Sequence, residues 1–145
     1  MPADLLDDEP PDVEDFLCCW LAPLIRTATE RRPDDPLPFC VVARIAGTDD
    51  IDEGRDDPVV QLDIFDTARG GLLAPQAAGV TKRDVHRRMN YLARHLDTNV
   101  TMSDGSTANA ETVATVLKPF RMKYPDDTIV RYVARYQLGL AYVAL

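Results

Sequence analysis

The stretch PVVQLDIFDT, residues 58–67, alternates apolar and polar side chains and therefore predicts a β-strand. Asp63 and Asp66 lie three positions apart in it, so their side chains should point to opposite faces of a sheet. This spacing argues against a close carboxylate pair for acid–base catalysis. Either aspartate can instead form an ion pair at an edge or interface, or remain solvated.

A second strand is predicted upstream, where FCVVARIAG, residues 39–47, favours β-structure. The two strands should form an antiparallel hairpin with a long acidic loop, GTDDIDEGRDD, at residues 47–57. A calcium loop needs glycine at its sixth position and glutamate at its twelfth. Counted from Asp50, Gly54 is fifth and Gln61 is twelfth, so the match fails twice. The loop is expected to be solvated, with weak divalent-ion binding as the alternative.

Helical spacing of apolar side chains predicts two helices. The first is placed at about residues 12–30, with Asp12 as its N-cap, and Pro23 should kink or end it. The second begins near Thr81, which is expected to cap it. A flexible link of small residues at 68–79 should precede this second helix.

The end of the chain predicts two long strands, at about residues 111–124 and 128–144, joined by a turn at Pro125. The order of elements is then α-β-β-α-β-β. It predicts an α+β domain over residues 12–145, in which two helices pack on a largely antiparallel four-stranded sheet. Residues 1–11 are expected to form an acidic N-terminal arm.

The composition of the chain argues against several classes of protein. The net charge of −8 and the pI of about 4.6 argue against a general nucleic-acid binder, because phosphate binding needs a basic surface. No basic secretory signal or long apolar run is present, and Cys18, Cys19 and Cys40 lack the spacing of a zinc site. No catalytic or phosphate-binding motif occurs either. We therefore expect a non-enzymatic protein without cofactor or metal, with reduced thiols, in a reducing compartment.

The second helix stands out as basic on this acidic chain. Arg83, Arg87 and Arg94 fall on one stripe at about 100° per residue. A DNA-reading helix would need a preceding helix and a short turn, and a glycine-rich link stands there instead. The stripe is better suited to an acidic surface of a neighbouring copy or of a partner protein.

Three stretches carry a resemblance to a known family. They are the helix PDVEDFLCCWLAPLI, the strand PVVQLDIFDT leading to the helical MNYLARHL, and the ending KPFRMKYPDDTIVRYVARYQLGLAYVAL. The ending combines a proline-bearing strand, an aromatic-Pro-Asp-Asp turn and an R-Y-x-A-R-Y-x-L strand. Over about residues 12–145 this organisation resembles the tail terminator proteins of long-tailed (siphovirus-type) bacteriophages, especially those of actinobacterial hosts.

The resemblance implies a structural protein of the virion, assembled in the host cytoplasm and located at the tail–neck junction. It implies a homo-hexameric ring that caps the tail tube protein, stops tube polymerisation and joins the tube to the head–tail connector protein. Genomic DNA would pass through the lumen without specific binding, and no membrane is involved. The alternatives are another neck protein, such as a connector or tail completion protein, or an acid-rich metal-dependent hydrolase.

A head-to-tail ring needs two different, complementary surfaces on each subunit. We hypothesise that an aspartate of the 58–67 strand on one subunit faces the basic helix stripe on the next. Two arginines on the polar face of the last strand are second candidates. The candidate subunit-interface residues are thus Asp63, Asp66, Arg83, Arg87, Arg94, Arg131 and Arg135.

Overall fold

The computed structural model describes residues 3–145 of the 145-residue chain. The described residues form two helices and nine strands, in chain order β1 Asp8–Glu9, α1 Val13–Leu21, β2 Arg26–Ala28, β3 Phe39–Asp50, β4 Arg55–Thr67, α2 Ala74–Arg94, β5 Val100–Thr101, β6 Thr107–Ala108, β7 Thr112–Met122, β8 Ile129–Ala141 and β9 Val143–Ala144. The main sheet has the strand order β2-β3-β4-β8-β7, and β1–β9 and β5–β6 form two small sheets.

The predicted fold class is wrong. The described residues form a mixed α/β structure with three sheets, and the main sheet has five strands where four were expected. The α-β-β-α-β-β order omits β1, β2, β5, β6 and β9. Each of these strands has only two or three residues, so none is long enough to show an alternating pattern. These short segments become strands because they pair with neighbouring strands, and not because of a pattern in their own sequences.

β4 is the central strand of the main sheet and follows strict alternation of buried and half-buried residues along its whole length. It pairs antiparallel with β3 and with β8, which confirms the predicted hairpin. The predicted long loop is wrong, because β3 and β4 continue to Asp50 and Arg55 with only four residues between them. Gly47 makes the extension possible: its φ is +116°, and a Cβ there would lie 2.4 Å from the carbonyl oxygen of Asp57.

Both helices pack on the same face of the main sheet, with α1 over β3 and α2 over β4, β7 and β8. Alternate residues of the strands and the apolar stripes of the helices form one core between the two layers. Its largest fully buried side chains include Phe16, Leu17, Leu62, Ile64, Met89, Leu92, Tyr136 and Leu138. The opposite face of the sheet has no covering layer among residues 3–145.

The first helix is shorter than predicted. α1 begins after Asp12, whose carboxylate accepts hydrogen bonds from the backbone N–H groups of Glu14 and Asp15, as expected for an N-cap. It ends at Leu21, just before Pro23, which has no N–H and whose ring crowds the preceding turn. Of the residues placed in the second half of this helix, 22–25 form a turn and Arg26–Ala28 form β2, which pairs parallel with β3.

The second helix is longer than predicted, and its predicted cap is wrong. α2 starts at Ala74, where the side chain of Gln76 accepts a hydrogen bond from the backbone N–H of Leu73. Pro75 lies in the first turn, which tolerates proline because N–H groups there have no partner within the helix. Thr81 lies in the helix interior, and its hydroxyl bonds to Asp66 at 2.7 Å. The second half of the expected flexible link, residues 74–79, is therefore helical.

The two long strands at the end of the chain are confirmed as β7 and β8, an antiparallel pair flanking the Pro125 turn. The register of β7 is interrupted twice, between Thr115 and Leu117 and between Leu117 and Phe120, a stretch that includes Pro119. Within the predicted N-terminal arm, β1 pairs with β9; Met1 and Pro2 lie outside the described residues. Neither helix in residues 3–145 has the length and apolar character needed to cross a membrane.

Candidate functional site

The uncovered face of the main sheet carries a chain of four polar side chains across β4 and β8. The guanidinium Nε of Arg131 donates to Asp63 at 2.8 Å. Asp63 in turn accepts a hydrogen bond from Gln61 at 3.1 Å, and Gln61 accepts one from Arg135 at 3.1 Å. Three of the seven predicted interface residues are therefore brought together on this surface, which we call the outer sheet face.

Apolar side chains surround this polar chain on the outer sheet face. Phe65 packs edge-on against Tyr124, with ring centroids 5.3 Å apart. Phe120 and Met122 on β7 pair with β8 residues of the same face and remain 40% and 38% exposed. A sheet face that mixes apolar and charged groups and lacks a covering layer is typical of a surface that another protein covers.

Asp66 lies on the opposite face of β4 from Asp63, as the alternation predicts, and its side chain is fully buried. It accepts hydrogen bonds from the backbone N–H of Thr67 at 2.8 Å, from Nε of Arg69 at 3.0 Å and from the hydroxyl of Thr81 at 2.7 Å. This network joins β4, the following loop and α2. In the isolated chain Asp66 has no surface to offer a neighbour, so Asp63 is the better placed of the two aspartates.

The three arginines predicted to form a stripe on α2 are all exposed. Arg83 and Arg87 approach the same carboxylate, Asp84, at 4.0 and 3.9 Å, and their side chains are 64% and 74% exposed. Among residues 3–145, Arg94 makes no ion pair. Because α2 covers the inner face of the sheet, this stripe and the outer sheet face lie on opposite sides of the two-layer domain.

An aromatic cluster beside the stripe was not predicted from the sequence. The guanidinium of Arg88 lies 3.6 Å from the ring centroid of Trp20 and donates two hydrogen bonds to the Trp20 carbonyl, while the indole N–H donates to the Arg88 carbonyl. Tyr91 stacks on Trp20 and His95 stacks on Tyr91. These contacts fix α2 against α1 and leave Tyr91 half exposed. The pairing spans 68 positions, and no local signal could have indicated it.

The end of the β3–β4 hairpin is acidic and exposed. We define the hairpin tip as residues 49–53, which include three aspartates, Glu53 and the 66%-exposed Ile51. Residues 44–49 of β3 are exposed without alternation, so neither face of the strand is covered there. Asp50 accepts a hydrogen bond from the backbone N–H of Glu53, which shapes the turn. The predicted solvated acidic loop at residues 47–57 is therefore only partly confirmed, because the hairpin tip is exposed but Asp56 is buried in an ion pair with Arg44 and Asp57 pairs with Arg55.

A half-buried histidine and a buried tyrosine meet beneath α2. Nδ1 of His86 lies 2.7 Å from the hydroxyl of Tyr136, a fully buried residue. Burial lowers the pKa of His86, and the charges of Lys118 and Lys82 lower it further. Burial also raises the pKa of Tyr136, so its phenol stays protonated and can donate to the imidazole. The pair is neutral at physiological pH and joins α2 to β8.

The cysteines have weakly nucleophilic thiols. All three are free, with Cys40 buried and Cys18 and Cys19 half-buried. Burial raises the pKa of Cys18 to about 11, aided by the charge of Asp15, and burial also raises the pKa of Cys40. These thiols are therefore protonated at neutral pH. In the described part of the chain, no group of three or more histidine, cysteine or acidic residues is placed to hold a metal ion.

No protein-family model matches this chain, and no curated protein matches it. The chemistry of the surfaces described above is therefore the basis for a functional hypothesis.

Proposed function

We propose that this chain is a structural protein of a phage virion, the tail terminator of a long-tailed phage. Six copies form a ring that caps the tail tube, stops its polymerisation and joins it to the head–tail connector. The observation that supports this proposal best is the outer sheet face, which carries half-buried apolar groups and a polar chain but no covering layer. A subunit of a larger assembly needs such a surface.

The distribution of the family-like stretches agrees with the proposal. The three stretches form α1, β4 with the second half of α2, and the β7–β8 pair, so they supply both layers of the domain. The net charge of −8 is compatible with a lumen that repels the DNA backbone and lets the genome pass without specific binding. The ring would lie at the tail–neck junction of the virion.

Co-production with the tail tube protein of a long-tailed phage tests the proposal. Negative-stain electron microscopy should show rings with a central hole, and tubes capped by one ring at a single end. A connector or completion protein would leave tube ends open, so uncapped tubes of unregulated length would refute the terminator function.

Two matched variants test the role of the outer sheet face. Phe120→Glu places a charge among the apolar groups of this face, and we expect the fraction of capped tubes to fall. Leu73→Glu makes the same chemical change at a 69%-exposed position at the start of α2 and should leave capping unchanged. Equal capping by both variants would show that the outer sheet face is not a contact surface.

A further inference from the structure

The cations of the α2 stripe lack close anionic partners within residues 3–145. Arg83 and Arg87 share one carboxylate at distances near 4 Å, where an exposed ion pair contributes little. The outer sheet face cannot complement them, because its polar chain contains two arginines and one aspartate. The stripe therefore has an excess of positive charge that an acidic surface of another molecule can neutralise.

The hairpin tip has the opposite excess. The arginines nearest to it are already engaged, since Arg44 binds Asp56 through two hydrogen bonds and Arg55 binds Asp57. No carboxylate of the tip forms an ion pair within residues 3–145; these carboxylates are Asp49, Asp50, Asp52 and Glu53. The tip and the stripe thus carry complementary charges on different parts of the same chain.

The α2 stripe and the hairpin tip are also complementary in shape. An open hollow of about 290 Å³ adjoins the stripe and is lined by Leu24, Asp84, Arg87, Arg88 and Tyr91. Leu24 and Tyr91 are 42% and 51% exposed and provide its apolar wall. Ile51 projects from the acidic tip as an exposed aliphatic side chain. One aliphatic side chain of this kind fits a hollow of this size. With Ile51 there, the acidic groups of the tip would lie beside the arginines of the stripe.

Strand addition at the sheet edges is a less suitable way to join copies. Pro119 and two register interruptions break the free edge of β7. On β3, the backbone N–H of Arg44 already donates to the carboxylate of Glu14 at 3.1 Å. Such features protect edges against pairing with another chain, so a contact through side chains is favoured.

We propose that the hairpin tip of one copy docks on the α2 stripe of a second copy, with Ile51 in the hollow. This contact rests on the proposed function, since it is the joint between neighbouring subunits of the ring. Its two surfaces differ, so the contact is head-to-tail and can close into a ring. Charge attraction makes it sensitive to salt.

Charge reversal tests the contact in the full-length chain. Asp52→Lys and Arg87→Glu both change exposed side chains without close contacts, so folding should be preserved, which circular dichroism checks. By sedimentation velocity in low salt, each variant alone should self-associate at least about tenfold more weakly than the wild type. An equimolar mixture of the two should recover association, because every joint again brings opposite charges together.

The apolar part of the contact has its own test. Ile51→Ser should weaken association by about tenfold to a hundredfold, as expected for losing one buried aliphatic side chain. Ile45→Ser, at a 44%-exposed position on β3 outside the tip, is the control and should have no effect. Association that is equally strong in all variants would overturn the contact. A wild-type chain that stays monomeric up to about 1 mM would overturn it as well.

Tube capping separates this inference from the proposed function. If the variants with weakened tips still form rings on tubes, the terminator function stands and this contact is wrong. If the wild type never caps tubes but its self-association depends on Asp52, Arg87 and Ile51, the contact stands and the terminator function is wrong.

Discussion

Asp66 offers the sharpest test of how the fold is held together. We predict that Asp66→Asn destabilises the protein by about 2–3 kcal/mol. The carboxylate is fully buried and accepts hydrogen bonds from Thr67, Arg69 and Thr81. Asparagine keeps the shape and one acceptor oxygen. However, its amide group would place N–H donors against Arg69, which can only donate, or against Thr81, whose hydroxyl already accepts a hydrogen bond from Arg69 at 2.7 Å.

The magnitude follows from the separate contacts. Hydrogen bonds to a buried charged group contribute about 1.5–3 kcal/mol each, but the side chain of Arg69 is 43% exposed and regains water when released. Its share is therefore closer to that of a surface ion pair, about 0–1 kcal/mol. Thr81 is only 7% exposed and has little access to water, so its hydroxyl accounts for most of the loss.

Urea unfolding followed by the fluorescence of Trp20, the single tryptophan, measures the free energy of unfolding. With a slope of about 2 kcal/mol per M, the midpoint of Asp66→Asn should fall by about 1–1.5 M. Arg69→Ala should cost less, about 1 kcal/mol, because its exposed guanidinium contributes no more than a surface ion pair, and the double variant should cost less than the sum of the two.

A control and a refuting result complete this test. Asp97→Asn changes an exposed aspartate just beyond α2 and should be within about 0.5 kcal/mol of the wild type. The reasoning fails if the free energies of unfolding of Asp66→Asn and Arg69→Ala both lie within about 0.5 kcal/mol of the wild type, with unchanged slope. Such a result would mean that the network does not hold β4 to α2.

Further predictions concern three other structural features. Arg88→Ala removes the guanidinium that lies over the indole ring, together with its two hydrogen bonds. It should destabilise the protein by about 2 kcal/mol and shift the fluorescence emission of Trp20. Arg88→Lys should recover only part of the lost stability. Gly47→Ala should lower the free energy of unfolding, measured by thermal unfolding, by about 2–4 kcal/mol, because it combines a positive φ with a backbone clash. The control Gly71→Ala has a positive φ but open space around it, and it should cost about 1 kcal/mol. Because the folded state lowers the pKa of His86, its contribution to stability is complete above the ordinary value of 6.5 and is lost as the pH falls below it. Wild type should therefore lose more stability between pH 7.5 and pH 5.5 than His86→Gln.

The functional hypothesis changed because Asp63 and Asp66 contact residues that lie far away in the chain. The interface prediction grouped Asp63 and Asp66 because both lie in one strand, but the register of β4 with β8 gives Asp63 an arginine on the adjacent strand. Asp66 receives its partners from a loop and from α2. The acidic tip does not match a calcium loop, and we propose it instead as a contact between copies, because Ile51 is exposed and the carboxylates of the tip form no ion pair within residues 3–145.

The sequence by itself determined the long elements. Alternation in PVVQLDIFDT and in the last strand is a local, period-two signal, and it correctly predicted which residues of β4 and β8 face the core. The exposed cationic stripe of α2 followed in the same way from its helical period.

Only the tertiary structure decided the rest. Three residues at 26–28 carry no pattern of their own, and they form a strand because the end of α1 places them beside β3. α2 gained two turns because its first-turn proline is tolerated and because Thr81 bonds to a buried carboxylate instead of capping. Trp20 and Arg88 meet across 68 positions. These features depend on contacts between residues far apart in the chain, whose free energy exceeds the weak local preferences that a sequence displays.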